Sequence, residues 1–305
     1  MKSLITGING FVGGWLKEHL LAEGDSVIGL PEGLDICDRK GIIDFMRSVE
    51  VDWLFHLAAL THVGQSWHDP EAFFRVNVIG TQNVTEALAE SNPNAKMIYI
   101  SSSEVYGQSL MGESSQSYLP INETISIRPV TPYAASKAAA EFVALQGAFG
   151  RGLSVVIARP FNHVGPGQGE QFVVSGLAKR IVSAQIEGLD SIPVGNLDSE
   201  RDFTDVRDVV RAYRSLAVAG DSAEAYNVCS GRAISIAEIA QDLIRLAGGK
   251  VVLRQDPSLM RAVEVKTSIG DSSKIAAATD WSPTISIDQT LTEILGFWRD
   301  RLRER

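Results

Sequence analysis

Ser3-Leu4-Ile5-Thr6-Gly7-Ile8-Asn9-Gly10-Phe11-Val12-Gly13 reads as a buried strand, a glycine-rich turn and the first residues of a helix. Glycine permits a tight turn and lets a ligand phosphate approach the backbone, and the helix N-terminus adds N–H donors and a positive dipole end. The spacing is G-x-x-G-x-x-G, so a dinucleotide pyrophosphate is the expected ligand, and a plain packing turn is the alternative. Outward from this stretch, apolar runs alternate with amphipathic ones. Strands are expected at 26–30, 52–57, 96–100 and 154–158, and helices at 11–23, 38–49, 78–90 and 133–147. Continuous apolar strands are buried on both faces, which predicts a parallel sheet covered by helices: an α/β, Rossmann-like, doubly wound domain. A further strand at 224–229 returns to that sheet. The expected division is 1–160 with about 202–230 as a nucleotide-binding domain, and about 161–201 with 231–305 as a smaller α/β C-terminal lobe.

The 305 residues suffice for such a core. Apolar residues make up 45% and charged residues 21%, as in ordinary globular proteins. With 28 basic and 37 acidic side chains the net charge is −9, and no basic tract stands out, so neither nucleic acid nor an anionic membrane is an expected partner. Cys37 and Cys229 form no framework, and the five histidines have no ligand spacing, so no metal is expected. No apolar run reaches spanning length and the N-terminal stretch lacks the layout of a cleavable signal, so the expected location is the cytoplasm.

Tyr133-Ala134-Ala135-Ser136-Lys137 places a phenol and an ammonium four residues apart, on one helix face. A neighbouring cation is expected to lower the tyrosine pKa and fit it for proton transfer to a sugar carbonyl. Ser101-Ser102-Ser103-Glu104 follows a strand, at the end of a parallel sheet where ligands bind. After the second strand come Glu32, Asp35 and Ile36. Glu32 would repel a 2′-phosphate, which favours NADH over NADPH, and Asp35 with Ile36 is expected beneath the adenine.

Glycine turn, serine run and Tyr–Lys pair, in that order, resemble the extended short-chain dehydrogenase/reductases that act on nucleotide sugars. The resemblance implies a cofactor site formed by Gly7, Asn9, Gly10, Phe11, Val12, Gly13, Leu57, Ala58, Ala59, Asn77, Ser101, Tyr133, Lys137, Pro160, Phe161 and His163. It implies Ser102, Tyr133 and Lys137 as catalytic residues, with Glu104 beside them.

Arg159-Pro160-Phe161-Asn162-His163-Val164-Gly165-Pro166-Gly167-Gln168 resembles the GDP-4-keto-6-deoxy-D-mannose reductases in particular. So do Tyr226-Asn227-Val228-Cys229-Ser230-Gly231 and the run Asp256-Pro257, Met260-Arg261 and Glu264, although Ala262 stands where relatives carry proline. That implies substrate contacts from Ser103, Glu104, Asn162, Val174, Lys179, Arg201, Arg261 and Glu264. Forked arginine donors suit a diphosphate, and a carboxylate suits a ribose. The implied reaction is NAD(P)H-dependent reduction of a GDP-4-keto sugar to GDP-D-rhamnose. The rival is GDP-mannose 4,6-dehydratase, whose base would stand at Glu104; against it, there is no arginine-rich loop after the second strand, and Gly165–Gln168 replaces an arginine pair. A 4-epimerase would hold its cofactor through catalysis, and a non-catalytic sensor would not need Tyr133 and Lys137. Helices 78–90 and 133–147 resemble a family dimer interface, and Ala138, Ala139, Ala140 and Ala144 would allow close packing there; burial of the same alanines against their own sheet is the alternative.

Overall fold

A computed structural model describes residues 1–111, 120–259 and 265–303. Six parallel strands form the large sheet in the order β2-β1-β3-β4-β5-β9. They are β1 (Lys2–Thr6), β2 (Ser26–Gly29), β3 (Trp53–His56), β4 (Lys96–Ile100), β5 (Ser154–Pro160) and β9 (Ala225–Val228). Each matches an apolar run in the sequence, and β3 is buried at every position. The strand order reverses between β1 and β3, and ligands of open α/β sheets bind in the crevice at such a point. There the glycine turn meets the segment after β3: a Cβ on Gly7 would stand 2.9 Å from the Ala58 nitrogen.

Helices cover both faces. On one, α1 (Phe11–Ala22) packs with α8 (Val206–Ala219), and their Leu16, Leu20, Val209 and Leu216 share a core with Ile5, Phe55 and Val156 of the sheet. On the other, α2 (Arg39–Arg47), α5 (Gly80–Ser91) and α6 (Pro132–Arg151) enclose Leu54, Met97, Val155 and Ile157. Asp38 caps α2 rather than opening it, and a π-helical turn at Arg75–Ile79 precedes α5, so the helix expected from residue 78 starts at 80. Two short helices, α3 (Val63–Ser66) and α4 (Pro70–Phe74), lie in a stretch whose few residues carry no readable periodicity.

The small lobe is built on β8 (Glu200–Asp205), which pairs with β6 (Asn162–Val164), β10 (Ala233–Ser235) and β12 (Thr267–Ser268). A second pair, β7 (Ser191–Val194) with β11 (Val252–Gln255), lies beside it. Helices α7 (Val173–Glu187), α9 (Ile236–Ala247) and α11 (Ile287–Arg303) enclose its core around Leu177, Ile239 and Leu295. Two segments depart from the expected division. Residues 202–205, grouped with the first domain, hydrogen-bond as a strand of the small sheet. Ile275 of α10 (Ser273–Thr279) and Trp281, grouped with the small lobe, are apolar side chains buried against α8 in the large core. The chain therefore passes between lobes at 160–162, 205–206, 228–233, 268–273 and 281–287.

Candidate active site

A cleft of about 1040 Å³ runs along the sheet's C-terminal edge, from the glycine turn to the small lobe. At its first end it is lined by Gly7, Gly10, Phe11, Val12 and Gly13, with Leu57, Ala58 and Ala59 opposite. Gly7 adopts φ +75°, where a side chain would be strained, and Gly10 N–H donates to Gly7 O at 3.0 Å. No side chain caps the N-terminus of α1, and no acidic residue stands in its first turn. Those N–H groups face the cleft without a competing carboxylate, so the turn fits a dinucleotide diphosphate. Beneath it, the buried His56 ring bridges Thr6 Oγ1 at 2.7 Å and Thr81 Oγ1 at 2.9 Å, while Ala58 N–H donates to Thr6 Oγ1. Burial pushes His56 down to about 3, so the ring is neutral at pH 7.

At the centre lie Ser101, Ser102, Ser103, Glu104, Tyr133 and Lys137. Thr131 caps α6 by accepting from Ala134 N–H at 3.1 Å, and Pro132 opens the helix, so Tyr133 stands in its first turn. The phenol lies near enough to the Ser102 hydroxyl for that side chain to favour its ionised form. Burial pushes Tyr133 up to about 12; the Ser102 hydroxyl opposes the rise and Glu104 adds to it. This corrects the expectation of a lowered tyrosine pKa. Lys137 lies one turn along, but its ammonium donates to Ile100 O and sits 4.6 Å from the centre of the Tyr99 ring. Burial pushes Lys137 down to about 7, and Glu141 partly holds it up. Tyr133 is thus a phenol that keeps its proton at neutral pH, the form needed in a general acid.

Several residues expected at the cofactor are engaged within the protein or lie outside the cleft's lining. Ser101 borders the cleft, but its hydroxyl donates to the buried Glu141 carboxylate at 2.8 Å. Asn77 lies outside the lining. Its amide is consumed internally, accepting from Leu60 N–H at 2.8 Å and donating to Leu60 O at 3.0 Å and to Ser136 Oγ at 2.8 Å. It ties the segment after β3 to α6, with both amide hydrogens used inside the protein. Asn9 is exposed and Glu32 and Asp35 are exposed on the loop after β2, all outside the cleft's lining. Asp35 accepts from Cys37 N–H at 2.8 Å. Ile36 is core: a Cβ on Gly80 would meet it at 2.5 Å.

Pro160, Phe161, Asn162 and His163 line the middle of the cleft, where His163 stacks on Phe11 with 6.4 Å between ring centres. Val174, Lys179 and Arg201 line its small-lobe end. Lys179 pairs with Glu170 and lies 5.5 Å from the Trp298 ring centre. Arg201 donates to Glu200 O at 2.8 Å and Lys266 O at 3.4 Å. Arg261 and Glu264 lie outside the described residues. The sequence reading missed Arg180, His62 and the segment 194–197, all in the lining. Gly176, Arg180 and Ser183 line the cleft at helical spacing along α7, and that period was the available signal for Arg180.

Residues 32–294 match the family model described as GDP-mannose 4,6 dehydratase. The chain belongs to that family. It is a short-chain dehydrogenase/reductase-type, NAD(P)-dependent oxidoreductase. A GDP-6-deoxy-D-mannose reductase from Pseudomonas aeruginosa is 36% identical over 99% of both chains. A GDP-6-deoxy-D-talose 4-dehydrogenase from Aggregatibacter actinomycetemcomitans is 31% identical over 90% of both. The solved structure of RMD from P. aeruginosa complexed with NADPH covers 98% of this chain and 99% of its own, at 36% identity and a TM-score of 0.90. Among the described residues no cluster of His, Cys, Asp or Glu could hold a metal ion, and no helix is long and apolar enough to cross a membrane.

Proposed function

We propose that this protein reduces the C4 ketone of GDP-4-keto-6-deoxy-D-mannose to GDP-D-rhamnose. The convergence of Ser102, Tyr133 and Lys137 on the middle of one cleft, between the glycine turn and the small lobe, carries the reading, because it brings a protonated phenol and a hydroxyl to one place. Similarity to the P. aeruginosa reductase over nearly the whole chain supports the choice of substrate. A nicotinamide dinucleotide, when bound, supplies the hydride, and its diphosphate would be held by the open N–H groups of Phe11, Val12 and Gly13 at the start of α1. Tyr133 gives its proton to the carbonyl oxygen as that oxygen becomes a hydroxyl. Ser102 bonds the same oxygen and fixes its direction. Lys137 holds the cofactor ribose, and its charge steadies the phenolate that Tyr133 leaves. Lys179, Arg201 and Arg261 grip the GDP diphosphate, Asn162 and Val174 line its path, and Glu264 accepts from a ribose hydroxyl. Glu32 favours NADH by repelling a 2′-phosphate. A second reading, 4,6-dehydration, is favoured by Glu104 in the same cleft, close enough that its charge raises the Tyr133 pKa.

The test incubates the protein with GDP-mannose, a separate dehydratase, and NADH or NADPH in turn, following cofactor oxidation and identifying the product by NMR. GDP-D-rhamnose formed with one cofactor oxidised per sugar supports the reduction. The C4 epimer overturns the stereochemistry, and keto-sugar release without the added dehydratase favours the second reading. Tyr133→Phe is expected to cut turnover by about 10²–10⁴-fold with cofactor binding intact. We further propose a cytoplasmic homodimer. Ala138, Ala140 and Ala144 are buried within the chain and cannot form its interface; Phe142 and Phe149 of α6, 60% and 77% exposed, are the proposed contact. Charge substitution of both phenylalanines should then yield monomers by analytical ultracentrifugation.

A further inference from the structure

Helix α6 holds two consecutive residues where β4 ends. Lys137 donates to the carbonyl of Ile100, and Glu141, one turn on, accepts from the hydroxyl of Ser101. Ser102 comes next in the chain. Glu141 is 1% exposed, and its carboxylate also takes both Arg159 Nε, at 3.2 Å, and Arg159 Nη2. Arg159 lies in β5 immediately before Pro160 and Phe161 of the cleft. Its Nη1 donates to Tyr106 Oη at 3.0 Å, and Tyr106 donates to Asn227 Oδ1 of β9 at 2.8 Å. One buried ion pair therefore joins α6, the exit of β4, the end of β5 and β9. Such a pair is poor evidence for stability, since apolar side chains of similar volume usually fill the space as well or better. Apolar side chains could not hold the Ser101 hydroxyl, and with it the direction of the following turn.

We infer that the Glu141–Arg159 pair is a positioning device, fixing Ser101 and so the turn bearing Ser102 against the helix that carries Tyr133 and Lys137. The inference rests on the proposed reduction and deepens it. Neither residue touches the reacting atoms; both act through Ser101 and Lys137. The charged and titratable groups around the pair are Lys137 on the same helix, Tyr99 of β4, Tyr106 after it, and Glu123, whose backbone oxygen lies 3.5 Å from Arg159. Those facing Lys137 are Glu141, Tyr99 and the His56 ring of β3.

Two variants test it: Glu141→Gln, which keeps shape and removes charge, and the double variant Glu141→Leu/Arg159→Met, which removes both charges and leaves neither buried alone. For both, kcat should fall about 10²-fold, the cost of a roughly 1 Å misplacement, while KM for cofactor and sugar nucleotide stays near the parent's. In Glu141→Gln, the Lys137 ammonium should titrate at lower pH than in the parent, followed by side-chain ¹⁵N NMR on the protein as isolated, because the carboxylate holds that pKa up. The double variant should unfold at or above the parent's temperature. A folded double variant with the parent's kcat overturns the inference, and so does one that fails to fold, since the pair is then structural. Tyr133→Phe, run alongside, separates the two claims: if it keeps full turnover, the proposed reduction chemistry has failed; if it loses turnover while the double variant does not, only the positioning role has.

Discussion

At the glycine-turn end of the cleft the protein offers backbone; at the small-lobe end it offers long side chains. Phe11, Val12 and Gly13 present the N–H groups of an uncapped helix start, behind a turn whose Gly7 is pressed against Ala58, and a Cβ on Gly13 would stand 2.2 Å from Gly7 O. Lys179 and Arg201 instead reach in from α7 and β8, each already engaged with a neighbour in its own lobe. Backbone donors cannot be exchanged by substitution, so the first end is fixed in chemistry and intolerant of added volume. The second can be retuned residue by residue.

The largest expected effect sits at the rigid end. Gly13→Ala should weaken dinucleotide binding by on the order of 10³-fold, equivalent to two charge-assisted donors at about 2 kcal/mol each. Calorimetry with NADH and NADPH would measure it, and near-parent affinity would show the turn to be as adaptable as the other end. Arg201→Ala should raise KM for the GDP-sugar about 10–10²-fold, with cofactor affinity unchanged. Lys179→Ala should cost under about tenfold, because its ammonium is shared with Glu170 and an exposed ion pair contributes little. Equal losses from the two would mean the small-lobe end binds as one unit.

The smallest effect is thermal. Lys137 has its pKa lowered from the usual 10.5 to about 7. Between these values the unfolded chain binds the extra proton, so this group's contribution to stability rises with pH and is least favourable below 7. Lys137→Met should therefore melt above the parent at pH 7, with an advantage that shrinks toward pH 10 in calorimetric scans.

The large lobe was legible because each of its strands is a run of four or more residues between clear turns, and its ligand turn is contiguous in sequence. The small lobe was not: β6 and β10 have three residues each and β12 has two, too few for any periodicity. The serine run and the Tyr–Lys spacing brought the right groups to one place, but the sign of the tyrosine shift did not follow, because depth of burial cannot be read from spacing. Ser101 and Asn77 looked like ligands since nothing local marks the partners that occupy them. Glu141 and Arg159, 18 residues apart and on different elements, left no pattern to find.

The repeated passage of the chain between lobes has an evolutionary consequence. No single cut releases the small lobe, so it cannot be shuffled as a cassette from one relative to another. New sugar preferences in this architecture must accumulate in place, through substitutions on α7, β8 and the loops that border them, while the nucleotide-binding turn stays as it is.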